Sequence, residues 1–201
     1  VLGQKNLLID TQGNWGDSIL GDKAAAPRYI EARLSDFSLD VIFNDEITEV
    51  QKSYDSRKEE PIVFPNKFPI LLALGAEGIA VGLSTKILPH NFNELIKASI
   101  KILQNKPTKI LPDFQNGGIA DFSQYNRGQK GGKVRLRAII SILDNKRLVI
   151  KSVPYQISTA SLIESILKAN DNGKIKINRI EDNTAEDVEI IIYLKSGVSP
   201  Q

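Results

Sequence analysis

Arg28 and Tyr29 stand next to each other directly after Ala24-Ala25-Ala26-Pro27. A phenol is a poor nucleophile at neutral pH because its ordinary pKa is about 10. A cation beside a phenol favours the ionised form and also stabilises charge that builds on phosphorus in a transition state. The pair therefore has the chemistry for nucleophilic attack on a phosphodiester. An arginine next to a tyrosine is also an ordinary surface combination, so the pair alone does not decide the matter.

The elements that must position this pair follow from its neighbours. Pro27 lacks an N–H and disfavours helical angles at Ala26, so any helical turn at residues 23–26 stops there. From Arg28 to Leu34 the residues alternate, with Ile30, Ala32 and Leu34 on one side and Tyr29, Glu31 and Arg33 on the other. That period predicts a half-buried strand with Tyr29 on its polar face. Before it, residues 6–10 read as a short strand. Residues 11–22, rich in Gly, Asn, Asp and Ser, read as a loop holding the only tryptophan, Trp15. Trp15 is read as a packing anchor, with base contact as the alternative.

Ser35 is an N-cap for a helix running to Asn44, and residues 45–67 read as an irregular connector. Within it, Tyr54-Asp55 is assigned a structural role. Residues 70–74 are apolar, and Gly75, Gly78 and Gly82 then recur around Ile79-Ala80-Val81. Such glycines permit tight turning and close backbone approach. An isoleucine at the tip of such a feature can insert between base steps and kink duplex DNA; the bland alternative is a core residue. Neither this spacing nor residues 128–133 matches a dinucleotide or P-loop fingerprint. His90, the only histidine, precedes a helix capped by Asn91 with Glu94 three residues on, and is read as structural. That helix carries Leu95, Ile96, Ile100, Ile102 and Leu103.

A second unit opens near residue 112. Residues 118–122 read as a strand, and residues 131–143 and 147–153 as a hairpin around Asp144-Asn145-Lys146. Lys133, Arg135 and Arg137 share one face of the first arm, preceded by Arg127 and Lys130. A row of cations on a strand suits phosphate contacts, although a solvated charged face looks the same. Ser158 caps a helix closed near Asn172-Gly173, followed by strands at 174–180 and 188–194. Mixed strands and helices predict an α+β fold.

Composition bounds the rest. The 201 residues are 41% hydrophobic and 25% charged, an ordinary globular balance, and the net charge of +2 does not by itself argue for a nucleic-acid partner. With no cysteine there is no disulfide framework and no thiolate metal site. No apolar run is long enough to cross a bilayer and no signal-peptide pattern is present, so no membrane partner is expected. The chain begins at Val1 and ends in Ser199-Pro200-Gln201, which reads as an excised fragment.

Gln12-Gly13-Asn14-Trp15-Gly16, then Gly21-Asp22, then Ala24 to Tyr29, resembles the active-site region of bacterial type IIA topoisomerase A subunits, those of DNA gyrase and topoisomerase IV. Thr11 replaces a usual Gly and Pro27 a frequent Met. A second block, Gly78 to Thr85 with Pro89-His90-Asn91, matches the same family in the correct order. The resemblance covers the whole chain. It implies that residues 1–44 are the back part of a winged-helix-like domain and residues 45–201 a mixed α/β tower, with a second subdivision from about 112.

The resemblance further implies a function. Tyr29 becomes linked to a 5′ end of double-stranded DNA, Arg28 stabilises charge, Ile79 intercalates, and Lys133, Arg135 and Arg137 contact flanking DNA. A second A subunit cuts the opposite strand. Mg²⁺ and ATP are bound by the partner B subunit, since the sequence offers no compact carboxylate cluster of its own. The fragment alone is expected to be inactive. The wording of Gly75-Ala76-Glu77-Gly78 and Leu88 to Phe92 is closer to topoisomerase IV than to gyrase, and the expected location is the cytoplasm, at the nucleoid. The alternative reading is a non-catalytic DNA-binding or scaffold module in which Tyr29 only packs.

Overall fold

The computed structural model describes residues 7–200. Helices and strands are mixed, as α+β requires, and the chain divides into two compact units. The first holds residues 1–15 and 25–113; the second holds residues 16–24 and 114–201. The path therefore leaves the first unit after Trp15 and re-enters it at Ala25.

The first unit begins with β1 (Ile9–Gln12), which extends further than the sequence suggests: Thr11 and Gln12 belong to the strand rather than the loop. A single 3₁₀ turn at Pro27–Tyr29 leads into β2 (Glu31–Leu34), antiparallel to β1 with Gln12 opposite Glu31 and Ile9 opposite Leu34. All of β2 is exposed, so its apolar side is not buried as the alternation implied. Ser35 caps α1 (Asp36–Val41), its hydroxyl accepting from the Ser38 N–H at 3.1 Å and donating to the Leu7 carbonyl at 2.7 Å. Ser38, fully buried, donates to the Leu8 carbonyl at 2.6 Å. These bonds tie α1 to the chain entering β1. The helix ends at Val41, short of the expected Asn44.

The supposed connector contains a hairpin of β3 (Val50–Lys52) and β4 (Glu59–Pro61). Asp55 orders its loop by accepting from the Ser53 hydroxyl and the Arg57 N–H, while the Tyr54 side chain is fully exposed. The structural role holds for Asp55 and not for Tyr54. The apolar run forms α2 (Ile70–Leu74), ended by Gly75. Then come the hairpin of β5 (Ala76–Ala80) and β6 (Leu83–Ile87) and helix α3 (Phe92–Leu103). Asn91 caps α3 by accepting from the N–H groups of Asn93 and Glu94. Leu95 and Ala98 are buried, but Ile96, Ile100, Ile102 and Leu103 remain exposed. Phe37, Phe68 and Phe92 meet edge-on or tilted, with centroids 4.4–6.5 Å apart; the buried apolar residues of this unit are Ile70, Leu95 and Ala98.

In the second unit, β7 (Ile119–Gln124) pairs with β8 (Lys133–Arg137) as a separate ribbon. Strands β9 (Ile140–Asp144) and β10 (Arg147–Ile150), helix α4 (Thr159–Asp171), β11 (Ile177–Asp182) and β12 (Ile190–Leu194) complete it. The four-stranded antiparallel sheet runs β11-β12-β10-β9. Residues 131–143 are therefore two strands in different sheets and not one hairpin arm. The break falls at Ala138-Ile139, where the Ile139 N–H turns to the buried Ser152 hydroxyl at 3.0 Å. Ile150, Ile177, Ile190 and Ile192 form the core, with Leu162, Ile163 and Ile166 of α4 packed against them. Ser158 and Ser161 form a reciprocal capping box at the start of α4.

Candidate nucleic-acid interface

Tyr29 lies in the 3₁₀ turn and not on the strand that follows. Ala26 is extended (φ −59°, ψ 145°), as a residue before proline must be, and Pro27 opens the turn. The Tyr29 N–H donates to the Ala26 carbonyl at 2.9 Å. Ile30 then returns to extended angles and feeds β2. The difference matters for the chemistry. Neighbours on a strand point to opposite faces, which would keep Arg28 away from the Tyr29 ring. In the turn the Arg28 guanidinium carbon lies 4.7 Å from the ring centroid. Tyr29 is 65% exposed, so its hydroxyl is presented to solvent and not sealed in the core.

The backbone of Tyr29 is held from beneath by Gly13. This glycine has φ +90°, and a Cβ placed on it would sit 2.6 Å from the Tyr29 carbonyl oxygen and 3.2 Å from Ile30 Cγ2. Only a glycine fits such a close approach in that conformation. Trp15, half-buried, donates its ring N–H to the Gln12 carbonyl at 3.1 Å. That bond ties the loop to the end of β1.

Ile79 sits in the same unit, on β5 opposite Ser84. The tip of the hairpin is the two-residue loop Val81-Gly82, with Gly82 at φ +76°. Ile79 is 88% exposed and Val81 103%, so Ile79 is not a core residue. On the Ile79 face, Glu77 and Lys86 pair across the strands at 3.2 Å. At the base, a Cβ on Gly75 would lie 2.7 Å from the Ile87 carbonyl, so the hairpin approaches the end of α2 closely. His90 Nδ1 lies 3.1 Å from the Leu72 carbonyl oxygen, so Nδ1 carries the proton and donates. That bond ties the His90 ring to α2.

Lys133, Arg135 and Arg137 belong to the second unit and are all exposed, alternating with half-buried Val134 and Leu136. Sequence reasoning missed their counter-charge. Asp121 stands opposite Arg135 in the β7–β8 register. Hydrogen bonds from the Ser123 N–H and hydroxyl, and then the nearby Arg135 and Arg137 charges, hold its carboxyl below its usual range. The spacing of Asp121 within the predicted strand was visible; the register that sets it against Arg135 was not. The structure thus joins Arg28 to Tyr29 and aligns the three cations of β8, and these two groups lie in different units.

Among the described residues no three His, Cys, Asp or Glu side chains converge to hold a metal ion. No helix among the described residues is long and apolar enough to cross a membrane.

The DNA gyrase/topoisomerase IV A-subunit family matches residues 2–201. The chain belongs to that family. It is 46% identical over 197 residues to the DNA topoisomerase 4 A subunit of Borreliella burgdorferi, covering 98% of this chain and 31% of that protein. It is 38% identical over 216 residues to the DNA gyrase A subunit of Chlamydia muridarum, covering 96% of this chain and 26% of that protein. A third relative, the DNA topoisomerase 4 A subunit of Caulobacter vibrioides, is 34% identical over 220 residues, covering 98% of this chain and 29% of that protein. As a member of the gyrase/topoisomerase IV A-subunit family, the chain spans about a third or less of the length of these curated relatives.

Proposed function

We propose that this chain is part of the DNA breakage–reunion machinery of a type IIA topoisomerase. The observation that carries the reading is the exposed Tyr29 ring with the Arg28 guanidinium 4.7 Å from its centroid. Tyr29 Oη attacks a backbone phosphorus, the bond from phosphorus to the 3′ oxygen breaks, and the phenol's proton passes to solvent. The 3′ oxygen leaves and is protonated, and the 5′ phosphate stays on tyrosine. Religation is the reverse, so the phosphodiester energy is conserved in the covalent link. Arg28 stabilises the negative charge that builds on the equatorial oxygens. A second copy of the chain's parent protein supplies the same tyrosine to the opposite strand of the duplex.

Ile79 acts as a wedge between base steps, favouring deformable ones. Lys133, Arg135 and Arg137 contact flanking phosphates. Mg²⁺ and ATP are held by the B subunit, whose ATP turnover drives strand passage, and the chain by itself does not cleave DNA. The assembly works in the cytoplasm, at the nucleoid. Residues 1–44 complete a winged-helix-like domain and residues 45–201 form the tower. Topoisomerase IV is favoured over gyrase by the wording of residues 75–78 and 88–92.

The test uses a complete A subunit carrying this chain, mixed with its B subunit, duplex DNA and Mg²⁺, with covalent complexes trapped by detergent. Tyr29→Phe is expected to give no adduct. An adduct at the wild-type level would overturn the catalytic assignment. The exposed cation row of β8 favours a second reading, a DNA-binding module without chemistry; it predicts salt-dependent binding and no adduct even for the wild type.

A further inference from the structure

We propose that Lys86 holds a DNA backbone phosphate beside the Ile79 wedge, and that Glu77 is the counter-charge it gives up to do so. The inference rests on the reading of Ile79 as a wedge in duplex DNA. All three residues lie on one hairpin of the first unit, so the β5–β6 register alone sets their mutual placement. Glu77 stands opposite Lys86, and Ile79 opposite Ser84. Residues 77 and 79 are two apart on β5, and residues 84 and 86 two apart on β6, so all four share one face.

Small residues surround the isoleucine on the hairpin: Gly78 and Ala80 beside it on β5, and Ser84 across from it on β6. They leave the Ile79 side chain standing clear of the sheet. The next side chains on this face toward the base are Glu77 and Lys86, each half exposed, with Oε2 and Nζ 3.2 Å apart. Lys86 is the diagonal neighbour of Ile79 across the ladder, an offset of about 7–8 Å. Apolar wedges enter duplex DNA from the minor groove, which is roughly 6 Å wide. A cation at that offset from a wedge seated in the groove therefore meets the phosphates of the groove's wall.

Charge gives the pair its purpose. Glu77 and Lys86 are the only charged residues from Ala76 to Ile87, so the hairpin is neutral as it stands. An exposed ion pair is weak because water screens both partners, so it exchanges readily. A phosphate beside Lys86 belongs to a dense row of negative charge, and neutralising it releases a condensed counterion, a driving force that Glu77 cannot offer. Lys86 thus changes partner on binding, and Glu77, left near the same phosphates, turns to solvent. In the free protein the pair keeps the ammonium group on the wedge face. In the complex the phosphate contact carries no sequence information; it fixes the register at which Ile79 enters the duplex.

The test uses a complete A subunit carrying this chain, with its B subunit and short duplexes, and reads equilibrium affinity across a range of salt. Lys86→Gln is expected to reduce the slope of log affinity against log salt by about 0.9 and to weaken binding about fivefold to tenfold near 0.1 M salt. Lys86→Arg keeps the charge and is expected to keep the wild-type slope. Glu77→Gln is expected to act in the opposite direction. It tightens binding by about twofold to fivefold, the range an exposed ion pair is worth, because Lys86 no longer has a partner to leave. In the Lys86→Gln background that gain is expected to disappear for the most part. Single phosphates beside the wedge step are also replaced, one at a time, by neutral methylphosphonates. One position is expected to weaken the wild type and leave Lys86→Gln unaffected.

An unchanged salt slope in Lys86→Gln overturns the inference. So does weaker binding in both Lys86→Gln and Glu77→Gln, the result expected if the pair only braces the hairpin. A Glu77→Gln gain of equal size with and without Lys86 means plain repulsion and overturns the exchange. Ile79→Ala runs in parallel on a stiff duplex and on one with a flexible step. An unchanged Lys86→Gln slope beside a sequence-dependent loss from Ile79→Ala sinks the Lys86 contact alone. The same slope beside an equal loss on both duplexes takes the wedge reading with it.

Discussion

Gly13→Ala is the sharpest perturbation of the tyrosine that leaves its side chain intact. The added methyl would lie 2.6 Å from the Tyr29 carbonyl oxygen, where ordinary contact begins at 3.4 Å. Relaxation must supply roughly 0.8 Å, and misplacing a reacting group by about 1 Å costs on the order of a hundredfold in rate. The φ of +90° adds a left-handed penalty of roughly 1–2 kcal/mol for a residue with a Cβ. That is well below the roughly 5–15 kcal/mol that keeps a domain folded, so the variant should remain native. The assay is single-turnover adduct formation at saturating DNA in the complete A and B subunits, with melting and DNA affinity measured on the same samples. The expected result is a fall of about tenfold to a hundredfold in adduct rate, a modest loss in melting temperature and unchanged affinity. A variant that stays folded and cleaves within about twofold of wild type would refute the idea that Gly13 sets the tyrosine, because the strain would then be dissipated without moving it.

Ile79→Ala should leave melting unchanged, since an exposed side chain contributes within about 0.5 kcal/mol, yet lower adduct formation on a stiff duplex more than on one with a flexible pyrimidine–purine step at the cut. Equal loss on both sequences would argue against a wedge. Removing Lys133, Arg135 or Arg137 should each reduce the slope of log affinity against log salt by about 0.9, and an unchanged slope would remove that residue from the interface. Asp121 has a lowered carboxyl pKa in the folded chain, so its contribution to stability is full above its usual value of 3.8 and lost as pH falls through the lower folded value. Asp121→Asn should accordingly flatten the acid limb of the unfolding curve below pH 3.8 and strengthen DNA binding; an unaltered acid limb would mean the β7–β8 pairing does not hold the carboxylate.

What the sequence disclosed was the chemistry that acts over a few residues. Ser35, Asn91 and Ser158 were legible as caps because each serves an N–H two or three positions ahead. The Arg28-Tyr29 pair was legible for the same reason. The turn that joins them was not: a three-residue 3₁₀ turn has no periodic signature, and the alternation of residues 30–34 runs back through it unbroken. The break at Ala138-Ile139 was equally hidden, because the group that captures the Ile139 N–H is Ser152, far along the chain. On α3 the apolar spacing was read correctly, but spacing says only which residues share a face. Whether that face is covered depends on neighbours, and among the described residues Ile96, Ile100, Ile102 and Leu103 stay exposed.

The same division explains the site. A nucleophile and a cation announce themselves by type, but the groups that aim them are glycines and main-chain atoms, whose partners are set only by the fold. Gly13 in a sequence is simply a loop residue; in the structure it is the floor under Tyr29. The β5–β6 hairpin makes the converse point. Two isolated strands are marginal in water, and Ile79, Val81 and Leu83 bury too little to hold them together. Its order comes from the base, where Gly75 meets the Ile87 carbonyl and Pro89, and from the Glu77–Lys86 pair midway. The apolar tip is therefore carried by the rest of the hairpin and contributes little to folding, which is the arrangement expected of a side chain whose partner is supplied from outside the chain.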